Sequence, residues 1–208
     1  MKYIRKGKEP DSLTQHRLKP HSDYDNYKEK DNLRQTLLKE QGYICCYCMQ
    51  RINMDKMKIE HWHPQSKLPD KQLDYKNILG ACMGNEGQPE HLQHCDTQKG
   101  DKIITINPTN ENCESFIKFS VSGKISSDNE LVNKDLNETL NLNQETLRKN
   151  REAVLDEAIK SFQKRHAGQW TREILEREIS RWSSSNNGVY KPYCQIVVYY
   201  FQKKLSRR

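Results

Sequence analysis

Four cysteines, Cys45, Cys48, Cys82 and Cys95, have the chemistry of a metal cradle. The C-x2-C spacing of the first two lets a tight knuckle aim two sulfurs at one ion, and Cys82 and Cys95 can supply the remaining corners of a tetrahedron. Zinc is the natural occupant, because thiolates suit this borderline-soft ion and four sulfurs leave no open position for a substrate. Such a site staples a fold and does not catalyse. The second pair is separated by Met83 to His94, a far longer gap than the two residues of a zinc ribbon. A redox reading of Cys45 and Cys48 lacks the surrounding βαβ pattern. Cys46 is a bystander inside the knuckle, and Cys113 and Cys194 read as buried thiols.

A second set lies between the two halves of the first. It comprises Ile59-Glu60-His61-Trp62-His63-Pro64, then Tyr75-Lys76-Asn77-Ile78-Leu79, then His94-Cys95-Asp96-Thr97-Gln98-Lys99-Gly100. Each piece alone is weak, since an acid-His pair is usually surface and an Asn usually a turn or cap. Their order carries more: cysteine knuckle, acid-His-x-x-Pro, Asn, Cys, then Cys-acid-x-x-Lys-Gly.

The elements that must position these residues divide into zones. Residues 1–26 are polar, with Pro10 and Pro20 as helix breakers, and read as an extended arm whose Lys2, Arg5, Lys6 and Lys8 are solvated or touch phosphate. From Asn26 to Gln41, Leu33, Leu37 and Leu38 fall a turn apart before Gly42, predicting a short amphipathic helix. KIITI and FIKFSVSGKI, within 103–125, predict two or three short strands with a turn at Ser122 and Gly123.

Leu142, Leu147, Arg151, Val154, Leu155, Ala158, Ile159 and Phe162 mark one face of a long helix, and Trp170 to Trp182 repeat the pattern. The block at Tyr193–Leu205 suits a buried or docked helix, although its β-branched and aromatic content also permits a strand. The expected organisation is an arm and helix over 1–42, a metal-bearing domain over 43–125, and a helical, partner-binding region over 126–208. Apolar area on Val189–Leu205 is the first choice for a partner or self-association surface, with intramolecular core as the alternative.

Composition supports a stapled fold. Leu, Ile, Val and Phe make up 41 of 208 residues, just under the roughly 20% below which disorder becomes a serious possibility. A structural metal, which converts binding energy into folding energy, or a partner subunit would compensate. The net charge of +7 favours a polyanionic partner or serves solubility. No stretch of about 18 apolar residues exists, and the first thirty residues lack an apolar core, so neither a membrane span nor a secretory signal is expected. The expected location is cytoplasmic.

From Ile44 to Gly100 the chain resembles the HNH family of ββα-metal nucleases in its zinc-knuckle form. The resemblance implies an α+β fold with a ββα core. It also implies that Glu60 and Asp96 bind a catalytic Mg2+ or Mn2+, that His61 activates water, and that Asn77 accepts from the other ring nitrogen of His61. Asp96 stands where the family usually has His or Asn, though Asp remains a good oxygen ligand. His63, His94 and Lys99 are candidate substrate or metal contacts.

A narrower resemblance rests on Ile4-Arg5-Lys6-Gly7-Lys8-Glu9-Pro10, Leu33-Arg34, and His94-Cys95-Asp96 with Lys99-Gly100. These resemble the PtuB family, the HNH subunits of Septu anti-phage systems, relatives of which accompany some retrons. This implies a hetero-oligomer with an ABC-type, PtuA-like ATPase, and DNA, with RNA or tRNA next, as substrate. The competing expectation is a zinc-stapled nucleic-acid-binding or adaptor module without catalysis, which accounts for the cysteines and charge but leaves Glu60-His61 and Asn77 coincidental.

Overall fold

The computed structural model describes residues 1–168 and 170–207. Seven α-helices and two small antiparallel sheets are found among them, an α+β arrangement. Helix α1 (Asp11–Arg17) lies between the two prolines expected to forbid it. Seven residues fit because Pro10 stands at the N-cap, where a missing N–H costs no intrahelical bond. The arm is not loose: Met1, Ile4 and Leu13 are buried. Lys6 is neither solvated nor free to bind phosphate, since its ammonium pairs with Glu40 at 2.7 Å and donates to the Ile78 carbonyl at 2.9 Å.

Helix α2 (Lys30–Glu40) turns Leu33, Leu37 and Leu38 into the core, as their spacing predicts. Strand β1 (Lys58–His61) pairs antiparallel with β2 (Ile78–Ala81), Glu60 opposite Leu79 and His61 opposite Ile78. The outer edge of β2 is covered by Gln41, just past α2. Its amide donates to the Gly80 carbonyl at 2.8 Å and its oxygen accepts from the Gly80 N–H at 2.6 Å. Helix α3 (Cys95–Lys99) follows.

The run KIITI forms no strand. The N–H groups of Thr105 and Ile106 instead donate to the Asp135 carboxylate, at 2.6 and 3.1 Å, so a side chain takes the place of a neighbouring strand. Strands β3 (Lys118–Phe119) and β4 (Ile125–Ser126) form the second hairpin. Gly123 is required in its turn: φ is +76°, and a Cβ there would lie 2.1 Å from the Arg148 carbonyl of the adjoining helix.

Helix α4 (Glu130–Lys134) leads through a π-turn into α5 (Glu145–Arg165), followed by α6 (Arg172–Ser183) and α7 (Cys194–Leu205). The start of α5, through Leu147, belongs to a large core with the arm, α2, the cysteines and the β1–β2 hairpin. Further along, Leu155, Ala158 and Phe162 join Leu175 of α6 and Ile196, Val197 and Phe201 of α7 in a second core. The apolar block of α7 is therefore consumed within the chain. That removes the observation that made Val189–Leu205 first choice as a docking surface. No helix among the described residues is long and apolar enough to cross a membrane.

Arg151 joins the parts. Its guanidinium is 1% exposed, donates to the carbonyls of Gly123 and Leu142 at 2.7 Å each, and is pushed by burial to a pKa of about 10. Arg151→Met should leave both carbonyls unpaired, at about 1–3 kcal/mol each. A chain of this size should then melt roughly 4–24 °C lower, measured by calorimetry.

Candidate functional site

The knuckle forms immediately after α2, with the Cys45 N–H on the Gln50 carbonyl and the Met49 N–H on the Cys45 carbonyl. Cys82 follows β2 directly, and Cys95 opens α3. The long interval between them is a closed loop. The His94 N–H donates to the Gly84 carbonyl at 3.0 Å, so the two cysteines meet despite their separation in sequence. Gly84 permits this with φ +57°, and a Cβ there would lie 2.2 Å from the His94 carbonyl.

All four sulfurs lie within 4.8 Å of one another and are buried. Cys45 Sγ is 3.9 Å from Cys95 Sγ, and Cys48 Sγ is 3.8 Å from Cys82 Sγ. A tetrahedron with Zn–S bonds of about 2.3 Å has sulfur-to-sulfur edges of about 3.8 Å, so the cradle fits a zinc ion. No disulfide joins any described cysteine. Cys46 contributes no sulfur to the cluster, and Cys113 and Cys194 are buried apart from it. His94 is brought to this cradle, its Nδ1 3.2 Å from Cys95 Sγ.

Beside it opens a cleft of about 530 Å³, lined by Glu60, His61, Gln65, Glu86, Asp96 and Lys99 among others. Glu60 is 3% exposed. Burial pushes its carboxyl well above the usual range, neighbouring Asp96 raises it further, and Lys99 opposes both. Two neighbouring carboxyls, one of them disfavoured as an anion, form an oxygen-donor set suited to a hard divalent cation, whose charge would offset that penalty. Lys58 lies across the rim, 2.8 Å from Glu86 and 3.9 Å from Asp96. Lys99, at the end of α3 and 1% exposed, donates to Glu60 Oε1 at 2.8 Å and to the His61 carbonyl at 3.0 Å. That geometry makes it an internal strut rather than a group presented to a phosphate.

The His61 ring is held on three sides. Its Nε2 is 2.9 Å from the Gln72 carbonyl, which can only accept, so Nε2 carries the proton and Nδ1 keeps the lone pair. The Gln65 amide nitrogen lies 3.0 Å from Nδ1, and Tyr24 packs edge-on at 4.5 Å between ring centres. Burial lowers the pKa of His61 below its ordinary 6.5.

Asn77 does not contact this ring, contrary to the expectation. Its oxygen accepts from the His63 N–H at 2.7 Å, and its amide donates to the carbonyls of His63 and Lys71 at 3.0 and 3.1 Å. It thus fixes the loop whose next residue, Gln72, holds His61. The His63 ring packs tilted, at 60°, against Trp62 with 4.2 Å between centres, outside the lining of the cleft.

Reasoning from sequence missed Tyr24, Tyr47, Gln65 and Gln72. Gln72 acts through its main chain and Tyr24 arrives from the arm, so neither carries a spacing signal. Tyr47 had one, its place between two ligand cysteines.

Chemically the arrangement is a closed thiol cradle beside an open acidic cleft with an oriented imidazole. A 99-residue stretch, 46% of this chain, is 30% identical to a protein of Vibrio cholerae serotype O1 biovar El Tor named "Retron Vc95 putative HNH endonuclease". That stretch spans 47% of the relative, so the chain matches about half of its length. No family model matches the chain.

Proposed function

We propose that this chain is a metal-dependent HNH endonuclease that hydrolyses phosphodiester bonds of nucleic acid, DNA foremost, with RNA or tRNA as the next substrate class. The observation that carries the reading is the lining of one cleft by the carboxyls of Glu60 and Asp96 and by an imidazole whose Nδ1 keeps its lone pair. Strands β1 and β2 with α3 supply a ββα core, and residues 43–125 form the nuclease module. The relative's name supports the same chemistry.

His61 Nδ1 takes the proton from the attacking water, its neutral form favoured by burial. Gln72 and Asn77 hold the ring and its loop, and Gln65 must give up its hydrogen bond to Nδ1 as water enters. Glu60 and Asp96 would hold Mg2+ or Mn2+, which when bound neutralises charge developing on the phosphoryl oxygens. Zinc in the cysteine cradle staples the module. In the wider reading the chain is the PtuB-like effector subunit of an anti-phage complex with an ABC-type, PtuA-like ATPase, contacted by the helical region 126–208.

The test incubates the purified chain, alone and with the candidate ATPase, with labelled duplex DNA, single-stranded DNA and tRNA in Mg2+ or Mn2+. Metal-dependent cleavage lost in His61→Ala supports the nuclease and names its substrate. Absence of cleavage from a zinc-loaded, verified complex moves the weight to a non-catalytic adaptor.

A further inference from the structure

We propose that Tyr47 is a positioning residue through which the zinc knuckle sets the orientation of the Glu60 carboxylate, making the thiol cradle and the acidic cleft one mechanical unit. The inference rests on the reading of Glu60 and Asp96 as ligands of a divalent cation.

Tyr47 stands between the cradle residues Cys45 and Cys48, and its side chain is wholly buried. The backbone around it is pinned: the Cys46 N–H donates to the Gly80 carbonyl of β2 at 3.0 Å, in addition to the knuckle bonds described above. With two side-chain torsions and a packed ring, its hydroxyl has little freedom once the knuckle is closed. That hydroxyl donates to Glu60 Oε1 at 2.6 Å, at the short end of O–H···O hydrogen bonds. Lys99 donates to the same oxygen at 2.8 Å and is itself anchored on the His61 carbonyl.

Two buried donors on Oε1 fix the plane of the carboxylate. Rotation would strand both in a place water does not reach. Oε2 is thereby the oxygen left for a cation shared with Asp96. A knuckle that needed only bulk would be served by Phe, whereas a fully buried hydroxyl needs an acceptor, and the one it has is Glu60. The link is direct: ligand Cys45, two residues of tight turn, then a hydroxyl on the carboxylate.

Mn2+ binding to the zinc-loaded full chain, followed by electron paramagnetic resonance, tests this in Tyr47→Phe, Glu60→Gln and Asp96→Ala beside the wild type. Tyr47→Phe should keep its zinc and its melting temperature yet bind Mn2+ roughly 10–100-fold more weakly, as loss of a ligand's outer hydrogen-bond partner does. Wild-type Mn2+ affinity in Tyr47→Phe, with binding abolished in Glu60→Gln and Asp96→Ala, overturns the role of Tyr47 and leaves the carboxylate site standing. Mn2+ binding that survives in Glu60→Gln and Asp96→Ala, or none in the wild type, overturns both. Should Tyr47→Phe lose its zinc, the tyrosine absorbance change of the wild type on Mn2+ addition decides: a change absent in Glu60→Gln supports the link, and no change overturns it.

Discussion

His61→Ala should lower nucleic-acid cleavage by about 10²–10⁴-fold, the range that a positioned general base supplies. The loss should fall on turnover, because a ring only 6% exposed offers little surface on which to anchor substrate. Zinc content should not change: the ring's partners are Gln72, Gln65 and Tyr24, none of which belongs to the cradle. The pH dependence follows with a definite sign. The base works when neutral, and burial lowers its pKa, so activity should rise with pH through a value below 6.5 and be nearly full at neutrality. Single-turnover rates across that range, for the wild type and His61→Ala at saturating Mn2+, check both points. A variant that cleaves at the wild-type rate, or one that loses zinc together with activity, would assign His61 a structural place instead.

The contrast between what the sequence revealed and what it hid is physical. The thiol cradle was legible because ligand chemistry is carried by residue type, and a loop of any length serves if its ends close. Here Gly84 and His94 close it. Helices α2, α5 and α6 were legible because each buries one stripe, so hydrophobic spacing reports their period. Helix α7 was ambiguous for the converse reason. Packed against α5 and α6, it buries six of its twelve residues, and a helix buried over so much of its surface loses its periodic signal.

The failures share another cause. KIITI has strand composition, yet a strand also needs a neighbour, and Asp135, about thirty residues on, offers its N–H groups a carboxylate instead. Prolines at 10 and 20 constrain the ends of a segment and say nothing about the seven-residue helix that forms between them. Within the cleft, charged and ring-bearing groups could be nominated from their types, but their orientation could not. His61 is oriented by a main-chain oxygen, and Asn77 reaches it only through the loop that carries that oxygen. Composition carries no trace of either contact.

Loss of one cradle thiol should have the largest effect on the fold itself. Cys82→Ser replaces a soft ligand by a poor one in a site whose four sulfurs stand at zinc-fitting distances, so the ion should be held weakly or not at all. Structural zinc contributes roughly 10–16 kcal/mol to small metal-dependent folds, as much as or more than the about 5–15 kcal/mol by which a whole domain is stable. Little else can compensate here. The cysteines themselves belong to the larger core, which α2, the β1–β2 hairpin, α3 and the start of α5 all share. The second core, of α6, α7 and the far half of α5, contains no cradle residue. Chelation or Cys82→Ser should therefore abolish the cooperative melting of the larger core while leaving part of the helical circular dichroism signal. Metal analysis should show the zinc gone, and hydrogen exchange should show protection lost at β1, β2 and α3 first. Cleavage should disappear in parallel, since Glu60 and His61 ride on that hairpin. A zinc-free protein with an unchanged melting profile would mean that side-chain packing alone supports the larger core, and that the cradle is there for chemistry rather than for folding.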